Sequence, residues 1–197
     1  RVVVQEDANG NTATLEYADG HTVMTDNKGN VTTVYFDDLG RTIKVVYPDG
    51  SAEETAYDND GHCASKKDVM GNVTTYTYDA EGNVLTETRG DGSSRSFTYN
   101  ERNQMLTAAD YMGNTTHFSY DEAGNLTART DGEGNTTSYG YDSLNRLESI
   151  TDANGGTTAF AYEGDSSAPA SMTDGEGNTS TFSYDEMNRI LATTDAE

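Results

Sequence analysis

The sequence is poor in several residue types, and each shortage narrows the structures it can form. It has no tryptophan, two prolines and one cysteine among 197 residues. Because a disulfide needs two thiols, Cys63 cannot be part of an internal one. No apolar run is long enough to span a bilayer. We therefore expect neither a disulfide-stapled fold nor membrane insertion.

Basic residues are also scarce, with 12 Lys and Arg against 34 Asp and Glu, so the formal net charge is −22. Phosphate contacts need basic groups, and nucleic acid is therefore not an expected partner. The acids are spread along the chain without forming a tail, which is typical of a solvated acidic surface. Disorder is not predicted despite this charge, because 13 Tyr and 5 Phe recur at fixed phase.

Aromatic residues return along the chain at a step of 21, with one step of 22 at the end. Most members are followed by an acidic residue or Asn. A second series, mostly Asp followed three residues later by Gly, lies about ten residues further on. A fixed period of this size is typical of stacked repeats. We call the first series the aromatic ladder: Phe36, Tyr57, Tyr78, Tyr99, Tyr120, Tyr141, Tyr162 and Tyr184.

One repeat, residues 131–151, illustrates the local prediction. Residues 131–134 and 142–145 are rich in Asp, Gly and Asn and predict two turns. Residues 135–141 alternate with period two, so a strand is predicted there with Tyr139 and Tyr141 on one face. Residues 146–151 predict a second strand. The unit is a β-hairpin plus the turn that leads to the next one.

The fold class predicted for residues 1–197 is all-β, in one array of about nine hairpin repeats that is truncated at both ends. Equal register places the ladder rings over one another on neighbouring hairpins, and each cross-strand pair contributes roughly 0.2–1 kcal/mol. A sheet of about 18 strands would curl. We therefore predict a coiled or spiral antiparallel sheet with its aromatic face inside.

The repeat pattern departs from its usual form at four places. Pro169 cannot donate to a ladder, so a bulge or an irregular loop is expected near it. Residues 47–50 and 89–92 have a different turn chemistry, and residues 17–21 hold a shortened turn.

Units such as Tyr78-Asp79-Ala80-Glu81-Gly82-Asn83 and Tyr120-Asp121-Glu122-Ala123-Gly124-Asn125-Leu126 resemble the RHS/YD repeat, roughly Tyr-Asp-x-x-Gly-Arg-Leu-x-x-x-Thr-Asp-x-x-Gly. That family occurs in bacterial polymorphic toxins, toxin-complex cocoons, wall-associated proteins and animal teneurins. The resemblance implies a spiral β-sheet shell, here a partial one, that encloses a cargo or serves at a cell surface. The family's terminal self-cleavage element with Asp-Pro-x-Gly is absent, so the resemblance extends to architecture and not to proteolysis or toxicity.

No catalytic or cofactor-binding residue is predicted. His21, His62 and His117 are expected to face water, and Cys63 is expected to be a small core residue. Neighbouring strand residues point to opposite faces, so His62 is not expected to activate the Cys63 thiol.

Asp58 and Asp60 are weak candidates for a metal site, because residues 58–61 begin like a calcium-binding loop. The order of the ligands is wrong and no Glu completes the loop. A plain turn is favoured, and weak calcium binding stays open as the alternative.

The pattern as a whole favours a non-enzymatic structural segment of an RHS/YD-repeat shell in a secreted or cell-surface bacterial protein. Its expected partners are the remainder of the parent chain or an enclosed cargo or toxin. One alternative is a cell-surface adhesion or carbohydrate-binding array that binds glycans through tyrosine faces. Another is an extracellular filament in which further copies add through open sheet edges.

Overall fold

The computed structural model describes residues 1–6, 10 and 12–195. Every regular element among these residues is a β-strand, which confirms the all-β prediction. A helix suited to crossing a membrane is not found in this part of the chain. The strands fall into two compact units, residues 1–96 and 97–197, and each unit is described by itself.

The strands are short, five to seven residues each. In the first unit they are Val2–Glu6 (β1), Thr12–Ala18 (β2), His21–Thr25 (β3), Val31–Phe36 (β4), Thr42–Val46 (β5), Ala52–Tyr57 (β6), Cys63–Lys67 (β7), Val73–Tyr78 (β8) and Val84–Arg89 (β9). Ser94–Tyr99 (β10) begins in the first unit and ends in the second. The second unit continues with Met105–Ala109 (β11), Thr115–Tyr120 (β12), Leu126–Thr130 (β13), Thr136–Tyr141 (β14), Leu147–Thr151 (β15), Thr157–Tyr162 (β16), Pro169–Thr173 (β17), Thr179–Tyr184 (β18) and Ile190–Asp195 (β19).

Strands that follow one another in sequence pair antiparallel, so each unit is an up-and-down meander. In the first unit β2 pairs with β1 and β3, and in the second β14 pairs with β13 and β15. The predicted strands 135–141 and 146–151 are observed as β14 and β15 with a difference of one residue. The tandem hairpin repeat is therefore confirmed, while its coiling stays a prediction.

The even-numbered strands carry the aromatic residues on one face. In β16, Phe160 and Tyr162 are half-buried whereas Ala159 and Ala161 are exposed, and β8 and β18 show the same alternation over their aromatic residues. This arrangement confirms that the two aromatic residues of a repeat share a face, as the period of two requires.

A conventional hydrophobic core is missing from the described residues, because no apolar side chain among them is buried. The one buried residue is Thr22, at 9% exposure. Within a unit, strands contact only their sequence neighbours. Side chains are therefore covered by neighbouring strands of the same sheet and not by a second layer packed on its face. The prediction of Cys63 as a core residue was therefore wrong in this respect, since Cys63 is only half-buried.

A one-residue register shift recurs just before the ladder aromatic. Gly140 lies opposite Ser149 but Tyr141 lies opposite Leu147, so Glu148 is an extra residue on β15. The same shift occurs before Phe36, Tyr57, Tyr78, Tyr120, Tyr162 and Tyr184. The bulge and irregular loop predicted near Pro169 are both present, but this bulge belongs to the repeat and does not depend on proline.

Candidate functional site

The turns of the repeat are closed five-residue units with a common hydrogen-bond pattern. In residues 131–135, the Asp131 N–H donates to the Asn135 carbonyl at 3.0 Å, and the Gly134 N–H donates to the Asp131 carbonyl at 3.0 Å. The fourth residue has a positive φ, which is 88° at Gly134 and 59° at Asn145. Gly and Asn are the residues that tolerate this conformation best, and this explains why they occupy the position.

The aspartate that opens a turn binds the donors of that turn. Asp131 Oδ1 accepts from the N–H groups of Glu133 and Asn135 at 2.9 Å each, and Oδ2 accepts from Asn135 Nδ2 at 2.9 Å. The Asn135 side-chain amide, followed by its backbone N–H, holds the pKa of Asp131 below the usual 3.8. The negative charge of this carboxylate therefore contributes to the fold.

Two turns achieve the same closure with other residues, as the sequence predicted. In residues 47–51 the aspartate is at the third position, where Asp49 Oδ1 accepts from the Ser51 N–H and hydroxyl. Asp91 does the same with Ser93. The shortened turn at residues 17–21 is also observed, because Ala18 pairs directly with His21.

Asp58 and Asp60, the weak cation candidates, lie together in one such turn. Asp58 Oδ1 accepts from the N–H groups of Asp60 and His62, and Oδ2 lies 3.3 Å from His62 Nδ1. In the described part of the chain, no group of three or more His, Cys, Asp or Glu side chains is placed to hold a metal ion. The geometry therefore gives Asp58 a role in turn closure.

The hydroxyl of a ladder tyrosine reaches back to the preceding hairpin. Six of these hydroxyls donate to a backbone carbonyl 15 residues earlier: Tyr57 to Thr42 at 3.1 Å, Tyr78 to Cys63 at 2.8 Å, Tyr120 to Met105 at 3.0 Å, Tyr141 to Leu126 at 3.0 Å, Tyr162 to Leu147 at 2.8 Å and Tyr184 to Pro169 at 2.9 Å. We call each of these bonds a tyrosine lock. Each accepting residue opens an odd-numbered strand, and five of the six, all except Met105, lie at one of the bulges described above, where the regular ladder is disrupted.

The environment of two locked hydroxyls, those of Tyr78 and Tyr141, favours their protonated form. Burial raises the pKa of Tyr141, and the nearby carboxylate of Asp121 raises it further. Burial likewise raises the pKa of Tyr78. These two hydroxyls therefore stay donors over the whole physiological pH range.

In the turns at residues 37–41 and 142–146, the fifth residue covers the ladder ring of the next hairpin. The Arg41 guanidinium carbon lies 4.2 Å from the centre of the Tyr57 ring, and that of Arg146 lies 4.5 Å from the centre of Tyr162. Their Nε atoms donate to Asp37 and Asp142 at 2.7 Å. One arginine thus joins its own turn to the neighbouring aromatic ring by a cation–π contact.

His62 occupies the same position as these arginines and is not the water-facing residue that was predicted. Its ring stacks on Tyr78 with centroids 4.7 Å apart, and its side chain is 33% exposed. His21 is also half-buried, with its ring 5.5 Å from that of Tyr35. His117 is exposed in β12, as predicted.

Turns on the ladder side of a unit also bind one another directly. Arg146 Nη1 donates to the carbonyls of Gly164 and Ser166 at 2.7 and 2.9 Å. Gln104 Nε2 donates to the Gly124 carbonyl at 3.0 Å, 20 residues away. The hairpin that contains Tyr162 is therefore connected to the preceding one by the lock, by the ring cover and by a contact between turns.

All eight predicted ladder residues close an even-numbered strand. Contacts over three of the rings come from Arg41, His62 and Arg146, while direct stacking of successive ladder rings stays a prediction. Sequence reasoning missed both the locks and the ring covers. Only the ring covers had an available signal, because the residue that closes each ladder turn carries a side-chain N–H at six successive repeats: Arg41, His62, Asn83, Gln104, Asn125 and Arg146.

Comparison with solved structures shows that this chain has a fold similar to theirs. The crystal structure of TcdB2-TccC3-Cdc42 superposes with a TM-score of 0.54 at 16% identity, covering 98% of this chain and 11% of that one. The Photorhabdus luminescens Tc holotoxin pore is 12% identical and covers 99% of this chain and 17% of that one, but its TM-score of 0.30 is too low to carry an argument. The chain therefore corresponds to a small part of the proteins it resembles.

Sequence comparison identifies the family. No curated protein matches the chain. The profile of the RHS Repeat family matches it in five windows, residues 57–94, 78–111, 99–136, 120–157 and 169–197. These windows cover more than half of the sequence and follow the hairpin period described above. The chain therefore belongs to the RHS repeat family.

Proposed function

We propose that this chain is a non-enzymatic wall segment of an RHS shell, whose inner space holds a cargo such as a toxin of the same parent protein. The tyrosine lock is the observation that carries the proposal. Six hairpins are bonded to their predecessors through the same atoms, as expected for a continuous wall made of nearest-neighbour units.

The chemistry of the described residues agrees with a structural role. Aspartates that open a turn, such as Asp131 and Asp142, are bonded through their carboxylates to donors of the same turn. The Cys63 thiol donates to the Ser65 carbonyl at 3.6 Å, and the Cys63 carbonyl accepts the Tyr78 hydroxyl. The proposal includes a secreted or cell-surface location in a bacterium, as the family resemblance implies.

Limited proteolysis of the full-length parent protein tests enclosure. Replacing Tyr120, Tyr141 and Tyr162 together with Phe removes three locks while keeping the rings. We expect a protease to cleave the enclosed segment faster in this variant than in the unaltered protein. Tyr139→Phe is the matched control, because it removes a hydroxyl from the same face without removing a lock.

The result that contradicts enclosure is equally specific. Hydrogen exchange first establishes that the triple variant has a loosened wall. If the wall is loosened and the segment proposed to be enclosed is still cleaved at an unchanged rate, the wall does not protect that segment. The proposal then fails.

A second candidate function, glycan binding at a cell surface, is supported by tyrosines that remain accessible. Tyr17 is 47% exposed and Tyr35 is 38% exposed. Accessible rings of this kind can stack on sugars. Binding on a glycan array that disappears in Tyr17→Ser or Tyr35→Ser would favour this function, whereas unchanged or absent binding would remove it.

A further inference from the structure

The shortened turn at residues 17–21 is accompanied by an open cavity on the ladder side of the first unit. Tyr17 lies 19 positions before Phe36, whereas the usual ladder step is 21. A cavity of about 610 Å³ lies between residues 17–22 and residues 36–40. Its volume is within the range of small-ligand sites. We call it the Phe36 cavity.

Phe36 borders this cavity as a ladder ring without a cover. The guanidinium carbons of Arg41 and Arg146 lie 4.2 and 4.5 Å from the ring centres of Tyr57 and Tyr162. Each of these arginines is the fifth residue of the preceding ladder turn. The turn before Phe36 is too short to have a fifth residue, and the residues that line the cavity include no Lys or Arg. The chain therefore does not supply a cation for this ring from that turn.

A backbone acceptor faces the same gap. In the second unit, the fifth residue of a ladder turn binds the following turn, since Gln104 Nε2 donates to the Gly124 carbonyl at 3.0 Å. Gly40 has the corresponding place in the turn after Phe36 and lines the cavity. In the described part of the chain, the Gly40 carbonyl accepts no hydrogen bond. It is available to a donor that enters the cavity.

The rim of the cavity is acidic. Asp19 and Asp38 line it and are exposed, and neither forms an ion pair with a described residue. His21 also lines the cavity, but its ring stacks on that of Tyr35. An aromatic ring beside carboxylates is the environment that Arg41 has in this chain, because its guanidinium lies over Tyr57 while its Nε donates to a carboxylate at 2.7 Å.

We propose that the Phe36 cavity binds the guanidinium of an arginine that is carried by an extended segment of a partner protein. The guanidinium lies over the Phe36 ring and donates to the Gly40 carbonyl and to the carboxylates of Asp19 and Asp38. Its five N–H groups in a planar fork suit several acceptors at once. A net charge of −22 favours the approach of a basic segment.

The partner is a peptide segment because the guanidinium groups that this chain places over its own ladder rings are carried on a backbone, as in Arg146. The site depends on an internal irregularity of the array, since β2 and β3 both pair with a strand on each side. It is also independent of whether the wall encloses a cargo.

Two labelled peptides of equal charge separate guanidinium recognition from general attraction to an acidic chain. Fluorescein-labelled Gly-Gly-Arg-Gly-Gly should bind saturably in an anisotropy titration, and more tightly than Gly-Gly-Lys-Gly-Gly. The reason is that an ammonium group lacks the planar fork of the guanidinium. In amide NMR spectra, the arginine peptide should shift the signals of residues 17–22 and 36–40 first.

Substitutions in the cavity identify the groups that bind. Phe36→Leu keeps an apolar side chain and removes the ring face, so it should weaken binding of the arginine peptide about twofold to fivefold. Asp38→Asn removes one carboxylate at an exposed position and should also weaken binding. Asp60→Asn is the matched control, because Asp60 is an exposed turn aspartate that does not line the cavity.

Restoring the missing turn tests the origin of the site. Replacing residues 18–20 with the sequence of residues 142–146 adds two residues, returns the ladder step to 21 and supplies an arginine at the fifth turn position. This arginine should cover the Phe36 ring. We expect the affinity for the arginine peptide to fall to that for the lysine peptide.

Three results would each overturn the proposal. Equal affinities of the two peptides for the unaltered chain would attribute binding to net charge. Unchanged affinity in both Phe36→Leu and Asp38→Asn would place the bound peptide elsewhere. Methylguanidinium that binds as tightly as the arginine peptide would make a small guanidinium compound the occupant in place of a protein segment.

Discussion

At the scale of the residue, a ladder tyrosine acts through two separate parts of its side chain. The ring lies under the fifth residue of the preceding ladder turn, as Tyr162 lies under Arg146. The hydroxyl binds a carbonyl at the bulge, as Tyr162 binds Leu147. The two contributions can be separated by substitution, because phenylalanine keeps the ring and removes only the donor.

Tyr141→Phe should therefore lower the free energy of unfolding by about 0.5–1.5 kcal/mol, the usual contribution of one hydrogen bond. The reason is that the Leu126 carbonyl loses its hydroxyl partner. Urea unfolding measures the change. Tyr139→Phe removes a hydroxyl from the same strand and should shift the midpoint less, and equal shifts for the two variants would argue against the lock.

The turn aspartates should make the fold sensitive to acid within a defined window. The side-chain amides of Asn30, Asn72 and Asn135 are the largest cause of a lowered pKa at Asp26, Asp68 and Asp131. A carboxyl whose pKa is lower in the folded state stabilises the fold fully above its unfolded value of 3.8. This contribution is lost as the pH falls below 3.8 through the folded pKa.

Asn135→Ala tests this cause at one turn. Removing the amide should raise the pKa of Asp131 towards 3.8, as followed by NMR of the carboxyl carbon, because the side-chain donor is lost while both backbone donors remain. The variant should also lose less stability than the unaltered chain when the pH falls below 3.8. An unchanged pKa of Asp131 would contradict the assigned cause.

At the scale of the element, the turn at residues 152–156 lacks the side-chain donor that the fifth residue supplies in most other turns. In residues 152–156 the fifth residue is Gly156, so Asp152 Oδ1 accepts from two backbone N–H groups while Oδ2 lacks the fifth-residue amide that Asp131 binds at Asn135. A Cβ added at Gly156 would lie 2.8 Å from Oδ2, which is the end of a side chain that can rotate.

Gly156→Asn should stabilise the chain by about 0.5–1 kcal/mol, because it supplies the missing donor and restricts the unfolded chain. Thermal unfolding measures the gain. Gly155→Ala is the contrasting variant in the same turn. Since Gly155 has a φ of 89°, alanine there should destabilise the chain. A loss of stability in Gly156→Asn would show that the carboxylate cannot adjust.

The hairpins could be predicted from the sequence because their signals are local. Alternation over residues 135–141 and Gly or Asn at the fourth turn position predicted β14 and its turns to within one residue. The lock between Tyr141 and Leu126 could not be predicted, because its target lies at the bulge that adds Thr127 to β13. A change of one residue in register would redirect the hydroxyl, and residue types do not reveal that register.

The burial of Cys63, His21 and His62 was misjudged for a related reason. Apolar character predicted a core position for Cys63, but a unit in which strands contact only their neighbours leaves it half-buried. His62 was expected to face water as a turn residue. It is half-buried because the next hairpin brings the Tyr78 ring against it, a contact between repeats that no single repeat displays.

At the scale of the whole molecule, stability should depend on the alternation of strand types. Deleting residues 121–141 removes one complete repeat and joins Tyr120 to Asp142, so every remaining aromatic strand keeps an odd neighbour. Deleting residues 121–130 also leaves a Tyr-Asp junction, but it removes β13 alone and brings two aromatic strands together.

We expect the first deletion to retain cooperative urea unfolding and a β-sheet circular-dichroism spectrum, because repeat stability is a sum of nearest-neighbour terms. The second deletion removes the Leu126 acceptor of Tyr141 and should lower the unfolding midpoint more, although it removes fewer residues. Equal midpoints for the two deletions would show that the alternation of strands is not required.

The missing core has a consequence for the heat capacity. Unfolding normally raises the heat capacity by about 12–15 cal/mol/K per residue, mainly because buried apolar surface becomes hydrated. With no described apolar side chain buried, this chain should fall below that range in scanning calorimetry, and a value within it would contradict the expectation. Its free energy of unfolding should then vary with temperature along an unusually flat curve, so the fold keeps nearly constant stability from cold to warm surroundings.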